Sequence, residues 1–177
     1  MNNCSSFKWV RLLVALFFFI GYTNLEAQKI SRYYTSSAQN AGMLYFIKPQ
    51  KGFASNVQNA HLVYDITTFA KSDSVTFNFT FTSSKALHLV EAEFNVTASS
   101  VRAKAVKLYI ETKKLNWVYR YSLRLSKNEL MQFFNASKPP SLLIHCTEEV
   151  ITLKMPKRQW QKLSARNRRI FELIALN

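Results

Sequence analysis

Apolar and polar residues alternate with a period of two in several stretches of the chain, the pattern of half-buried antiparallel strands. Residues 75–82 show it most clearly, with Val or Phe at every odd position and Thr or Asn at every even one. Residues 117–125 alternate in the same way and carry Arg120 and Arg124 on the polar side. The pattern predicts about eight mostly antiparallel strands, arranged as a twisted sheet or β-sandwich in a mainly β or α+β fold. The predicted strands are residues 43–48, 60–69, 75–82, 87–97, 105–112, 117–125, 142–146 and 150–155.

Three short stretches are expected to interrupt this pattern. Residues 28–41 are polar and predict a loosely held arm before the first strand. Pro49 and Gly52 are expected to end that strand, because proline cannot donate to a sheet ladder and glycine weakens a strand. Ser99 and Ser100 predict a further break in the chain.

The period changes to about 3.6 late in the chain, which indicates helices. Ser126 and Glu129 stand three residues apart before an apolar run, the spacing of a capping box, and predict a short helix near 127–136. Pro156 suits the first turn of a basic C-terminal helix near 156–176. The apolar positions of this helix, which Asn167 interrupts, are Trp160, Leu163, Ile170, Phe171 and Ile174.

Residues 1–27 have the three-part layout of a secretory signal peptide. Lys8 and Arg11 precede the apolar run 12–20, and a small residue closes the segment. The alternative is an uncleaved anchor, but a membrane span needs about 20 apolar residues, roughly twice the length of this run. We therefore predict that the segment is removed and that residues 28–177 form a single β-rich domain with an amphipathic C-terminal helix. The signal predicts a periplasmic, outer-membrane-associated or secreted protein.

Positive charge is the second strong feature of the sequence. The chain has 24 Lys and Arg residues against 10 Asp and Glu, a formal net charge of +14. Such a charge attracts anionic partners, and outside the cytoplasm these include an envelope protein and an anionic lipid or polysaccharide surface. The candidate anion-binding or partner-binding residues are Arg158, Lys162, Arg166, Arg168 and Arg169 on the C-terminal helix and Lys107, Arg120 and Arg124 on two strands.

Each of these two basic groups has two interpretations. The C-terminal helix is either a basic amphipathic helix that contacts an anionic surface or an ordinary helix whose charges are solvated. The strand group forms either one cationic sheet surface or a solvated face whose lysines protect an edge from aggregation. Nucleic acid is disfavoured as a partner, because the sequence carries no recognition module and its signal predicts export.

Catalytic, metal and cofactor signatures are missing from the sequence. His61, His88 and His145 lie outside any metal-binding motif, and no cofactor is predicted. Glu91 and Glu93 fall on one face of a predicted strand, so two-carboxylate hydrolysis stays open as a third hypothesis.

Two further residues have structural interpretations. Asp65 lies in an otherwise apolar strand and is expected to be a structural acid bonded to a neighbouring turn. Cys146 follows an apolar run and is expected to be a small buried residue, with a reactive thiol as the alternative.

The layout of signal, size and composition resembles small exported β-rich proteins of bacterial envelopes, without a motif that defines a family. The first hypothesis is a non-enzymatic cell-envelope protein that binds a protein partner or an anionic surface through its basic faces. The alternative is a secreted ligand-binding or inhibitor domain, and the third hypothesis is a hydrolase.

Overall fold

The computed structural model describes residues 30–56, 59–96 and 99–176. The predicted signal peptide lies outside the described residues and stays a prediction. Residues 34–177 form one compact unit. Of the segment before it, residues 30–33 are described and form one turn, in which the N–H of Tyr33 donates to the carbonyl of Ile30. None of the described helices is long and apolar enough to cross a bilayer.

Strands dominate the described residues, which contain ten strands in two antiparallel sheets and two helices. The strands are β1 Tyr34–Gln39, β2 Gly42–Ser55, β3 Ala60–Phe69, β4 Ser74–Ser83, β5 Leu89–Val96, β6 Ser99–Lys104, β7 Val106–Lys113, β8 Asn116–Ser126, β9 Ser141–Cys146 and β10 Val150–Leu153. The helices are α1 Lys127–Asn135 and α2 Lys157–Ala175. The six-stranded sheet has the order β1-β2-β3-β4-β8-β7, and the four-stranded sheet has the order β10-β9-β5-β6. The predicted β-rich α+β fold with two late helices is confirmed.

Two strands were not predicted, and both lie at sheet edges. The polar arm expected at residues 28–41 contains β1, which pairs with β2 from Tyr34 opposite Ile47 to Gln39 opposite Gly42. The break expected at Ser99 and Ser100 is the start of β6, which pairs with β5. Both strands are held by main-chain pairing to a longer neighbour, so their side chains do not need the alternation that marks a half-buried strand.

β2 continues through Pro49 and Gly52, contrary to the expectation that they end it. The pairing of β2 with β3 shifts register between Ile47 and Gln50 and again at Gly52, so each residue sits at a bulge. Gly52 has φ +143°, and a β-carbon there would lie 2.7 Å from the terminal methyl of Met155. The glycine therefore lets β2 pass close to Met155 and to Gln159 in the first turn of α2.

A cluster of aromatic rings joins the two sheets and both helices. Phe77 of β4 meets Phe94 of β5 at a centroid distance of 5.1 Å, which links the six-stranded sheet to the four-stranded one. Phe94 also contacts Phe133 of α1 at 4.9 Å, and Phe133 contacts Trp160 of α2 at 5.1 Å. These rings are almost fully buried. The core therefore fixes α2 through its apolar side and leaves the opposite side of the helix to solvent.

α1 begins with the predicted capping box. The N–H of Glu129 donates to the side chain of Ser126, and the N–H of Ser126 donates to the carboxylate of Glu129 at 2.7 Å. Hydrogen bonds from Ser126 hold the pKa of Glu129 below its usual value, and the bond from the backbone N–H has a larger effect than the bond from the hydroxyl. The chain therefore turns from β8 directly into α1 without leaving its first amides unpaired.

Candidate functional site

The solvent side of α2 carries the largest group of exposed cations predicted from the sequence. A rotation of about 100° per residue places Arg158, Lys162 and Arg169 within about 40° of one another, opposite the buried side of the helix. Lys157 and Arg168 lie about 80–140° round the helix from these three, both on the same side of them, and all five side chains are exposed. We call these five residues the basic strip.

Most of the charge on the basic strip is unneutralised. Arg169 pairs with Glu172 at 3.0 Å, and both side chains are more than half exposed. An exposed pair of this kind contributes little to stability and stays open to exchange. Within the described residues, Arg158, Lys162 and Arg168 make no ion pair. The strip is therefore a row of solvated cations on a helix whose other side is fixed in the core.

Arg166, a candidate of the same helix, does not belong to this strip. Its Nη2 donates to Oε1 of Gln50 on β2 at 2.8 Å, and the side chain is half-buried. Gln50 also donates to Oδ1 of Asn167 at 2.8 Å, and Nδ2 of Asn167 donates to the hydroxyl of Tyr64 at 3.3 Å. Arg166 therefore helps attach α2 to the six-stranded sheet.

The same polar cluster explains the interruption of the apolar stripe by Asn167. Asn167 is 0 % exposed and Gln50 is 5 % exposed, so each supplies the hydrogen bonds that the other needs. Burial raises the pKa of Tyr64 by more than the hydrogen bond from Asn167 lowers it, so the phenol stays neutral. The interruption of the apolar stripe by Asn167 was a sequence signal for a buried polar contact, but Gln50 lies among Lys48, Pro49 and Lys51 and gave no such signal.

The strand group does not form one cationic surface. Arg120 and Arg124 share a face of β8, but Lys107 is paired with Tyr121, whose side chain points into the core. Lys107 therefore lies on the other side of the sheet, although it is exposed at the edge.

Arg120 is occupied by a buried carboxylate. Its Nη2 donates to Oδ2 of Asp65 at 2.6 Å, and its Nη1 donates to Oγ1 of Thr80 at 2.9 Å. Asp65 is 2 % exposed and also accepts from Nδ2 of Asn78 at 2.9 Å. Asp65 is therefore a structural acid, as expected, but its partners lie on neighbouring strands instead of a turn. Arg124 is exposed, with one long contact to Ser74 at 3.4 Å.

The acidic pair on β5 is part of an ion-pair cluster on the outer face of the four-stranded sheet. Glu93 is 6 % exposed, and its Oε2 contacts Nε of Arg102 at 2.8 Å and Nε2 of His145 at 3.0 Å. Nη1 of Arg102 reaches Oε1 of Glu91 at 3.4 Å. Burial acts to raise the pKa of Glu93, but the bonds from His145 and Arg102 together lower it below its usual value.

This cluster does not have the properties of a two-carboxylate hydrolase. A general acid needs a pKa raised towards neutrality, whereas Glu93 is held ionised. One guanidinium bridges both acids, so each carboxylate already has a cation as its partner. Among the described residues, no three His, Cys, Asp or Glu side chains are arranged to hold a metal ion.

Cys146 is half-buried, and its thiol is a poor nucleophile. Burial, with a smaller contribution from Glu149, raises the thiol pKa to about 11. The thiolate is the reactive form, so this thiol is protonated and unreactive near neutral pH.

Replacement of Glu93 by Gln is expected to lower the free energy of unfolding at neutral pH by about 1.5–3 kcal/mol, because bonds to a charged acceptor are lost. The folded pKa of Glu93 is lowered, so its stabilising contribution is full above the unfolded value of about 4.3 and declines as pH falls through the folded value. Urea unfolding between neutral pH and about pH 3 should show the two proteins converging on acidification. Glu148→Gln, at an exposed acid, is the control, and a constant difference at all pH values contradicts the assignment.

The strand predicted at residues 105–112 is β7, but its position at an edge of the sheet, with its apolar side chains exposed, was not predicted. Every residue of β7 is exposed, including Val106, Leu108, Tyr109 and Ile110. Val106, Leu108 and Ile110 alternate with Lys107, Tyr109 and Glu111 in the sequence, so the pattern of β7 gave no signal that this strand covers no core.

No protein-family model, curated protein or solved structure matches this chain.

Proposed function

We propose that this chain is a non-enzymatic, exported binding protein that attaches to an anionic surface of the cell envelope through the basic strip of α2. The observation that carries the proposal is the row of solvated cations on a helix fixed by its aromatic side. Arg158, Lys162 and Arg168 have no acidic partner within the described residues, so they are available to an external anion.

The physical basis is electrostatic attraction to a surface that carries many negative groups. Each Lys or Arg near such a surface contributes about 1 kcal/mol of attraction within a Debye length. The strip lies along one side of a helix whose rotation is fixed by Trp160 and by the Gln50–Asn167 bonds. Its cations are therefore presented together and do not need to be ordered on binding.

The chemistry that the strip recognises is an array of anionic groups, which lipid phosphates and acidic polysaccharides both provide. The remainder of the chain supports a role in binding over one in catalysis. Glu93, which was considered for hydrolysis, is an ion-paired carboxylate, and Cys146, which was considered as a reactive thiol, is protonated. Neither side chain is therefore in a reactive state.

Fractionation of cells that produce the chain tests both halves of the proposal. The protein is expected to sediment with the envelope at low salt and to be released by a wash with about 1 M salt, where the Debye length falls to about 3 Å. A protein that stays in the cytoplasm contradicts export. A protein that is exported but never sediments with the envelope at low salt contradicts attachment.

A further inference from the structure

β7 is an outermost strand of the six-stranded sheet, and its outer side is not paired with any strand among the described residues. In an antiparallel ladder, every second residue of an edge strand directs its N–H and C=O away from its neighbour. These unpaired groups form a template for a further strand. Natural proteins usually protect such edges with lysines, bulges or a cover, and β7 has Lys107, Lys113 and a bulge between Lys107 and Tyr109, yet it also exposes apolar side chains.

The opposite edge of the same sheet shows how differently β7 is built. β1 presents Thr35, Ser36 and Ser37 on an exposed edge, so its side chains give a partner little apolar area. β7 instead exposes Val106, Leu108, Tyr109 and Ile110 within one strand. β7 therefore offers a partner more apolar side-chain area than β1 does.

The turn after β7 adds a second, independent anomaly. Lys114 and Leu115 have φ values of +49° and +63°, the left-handed conformation that a two-residue hairpin requires and that Gly or Asn adopts best. Leu115 is 99 % exposed, so it gains no burial in return for this conformation. Leu115 therefore adds an exposed apolar side chain at the end of the β7 edge.

A groove lies beside the edge strand on the side that faces the core. It has a volume of about 290 Å³ and is lined by Ile110, Trp117, Leu87, His88 and Cys146, among others. Ile110 is paired with Tyr119, so it points to the core side of the sheet. A strand added along β7 would place every second side chain on that same side, beside the groove.

We propose that β7 binds an extended segment of a partner protein as an added strand, with an apolar side chain of the segment in this groove. The segment carries acidic residues, because four lysines lie in β7 or directly beside it, against Glu111 in the strand and Glu148 in the lining of the groove. Those lysines are Lys104, Lys107, Lys113 and Lys114. A second copy of this chain fits the edge poorly, since each copy brings a formal charge of +14. Strand addition uses main-chain bonds for affinity and alternate side-chain pockets for specificity.

Selection from a displayed library of random peptides, somewhat longer than the eight residues of β7, tests this proposal on the full chain. Enriched peptides are expected to alternate apolar residues with Asp or Glu. A labelled synthetic copy of the most enriched peptide is then titrated by fluorescence anisotropy. The double variant Leu108→Thr and Ile110→Thr is expected to bind it about tenfold more weakly or worse, because two apolar contacts are lost.

The matched control is Met43→Thr with Phe46→Thr, which removes two exposed apolar side chains from β2 and should leave peptide binding unchanged. A copy of the peptide with N-methylated amides should not bind, because it cannot form the main-chain ladder. Reversal of charges on the basic strip should reduce peptide binding by less than the Leu108 and Ile110 changes, which separates this proposal from the proposed function.

Four results on peptide binding and self-association would overturn the strand-addition proposal. They are a failure to enrich any peptide, equal binding by the N-methylated copy, equal binding by the Leu108 and Ile110 variant, and sedimentation as a dimer that this variant abolishes. If the Leu108 and Ile110 variant lost vesicle binding but bound the peptide as wild type does, the edge would be a membrane contact. That result would also overturn the strand-addition proposal.

Discussion

Arg120→Ala lowers the free energy of unfolding by about 3–5 kcal/mol, because it leaves the buried carboxylate of Asp65 without its cation. The bond between Nη2 of Arg120 and Oδ2 of Asp65 is 2.6 Å long, and Asp65 is 2 % exposed. Asn78 remains as a donor to that carboxylate but brings no charge. The loss is therefore that of an uncompensated buried charge, which exceeds that of an exposed ion pair.

Urea unfolding with Arg124→Ala as the control measures this effect. Arg124 lies on the same face of β8 but is exposed, so its replacement is expected to change the free energy of unfolding by less than about 0.5 kcal/mol. The double variant Asp65→Asn with Arg120→Met should be more stable than Arg120→Ala, since no charge is then buried. Equal effects of Arg120→Ala and Arg124→Ala would show that Arg120 is a solvated cation available for binding.

The strands that cover the core were predictable because half-burial gives them a period of two. β4 follows its predicted alternation along its whole length, with Phe77, Phe79 and Phe81 buried. The capping box at Ser126 was predictable for a similar reason, because its bonds are made within four residues. Local chemistry determines both features.

The side of the sheet on which Lys107 lies was not predictable, because a bulge determines it. Between Lys107 and Tyr109, two steps along β7 are matched by one step along β8, from Tyr121 to Arg120. A shift of one residue moves a side chain to the other face of the sheet. Tyr109 therefore lies on the face of Arg120, and Lys107 does not.

Residues with partners distant in the sequence were also beyond sequence reasoning. Glu93 looked like a solvated acid on a polar strand face, but Arg102 and His145 make its burial tolerable. Arg166 was predicted to be a solvated cation like Arg168 and Arg169, but its guanidinium donates a hydrogen bond to Gln50 on β2. Composition identified the basic helix, and only the tertiary contacts separate its binding candidates from its structural ones.

The triple variant Arg158→Glu, Lys162→Glu and Arg168→Glu is expected to weaken binding to an anionic surface by more than about a hundredfold. Three attractive contributions of about 1 kcal/mol each are lost and replaced by repulsion. The fold should be retained, because the three side chains are exposed and make no ion pair within the described residues. Thermal unfolding of the variant checks that retention.

The control triple Lys71→Glu, Lys107→Glu and Lys113→Glu makes the same change in net charge at exposed positions away from α2. It distinguishes the basic strip from the overall charge of the chain. The apolar run 12–20 is identical in all three proteins, so its own affinity for lipid cancels in the comparison.

Binding of the three proteins at low salt to vesicles containing phosphatidylglycerol, and in parallel to an immobilised acidic polysaccharide, is the most direct test of the basic strip. We predict that wild type and the control triple bind at least one of these surfaces with affinities within about tenfold of each other, whereas the α2 triple loses that binding. The surface that is bound identifies the source of the anionic groups. Equal weakening by both triples, or no binding of wild type to either surface, would contradict the proposed role of α2.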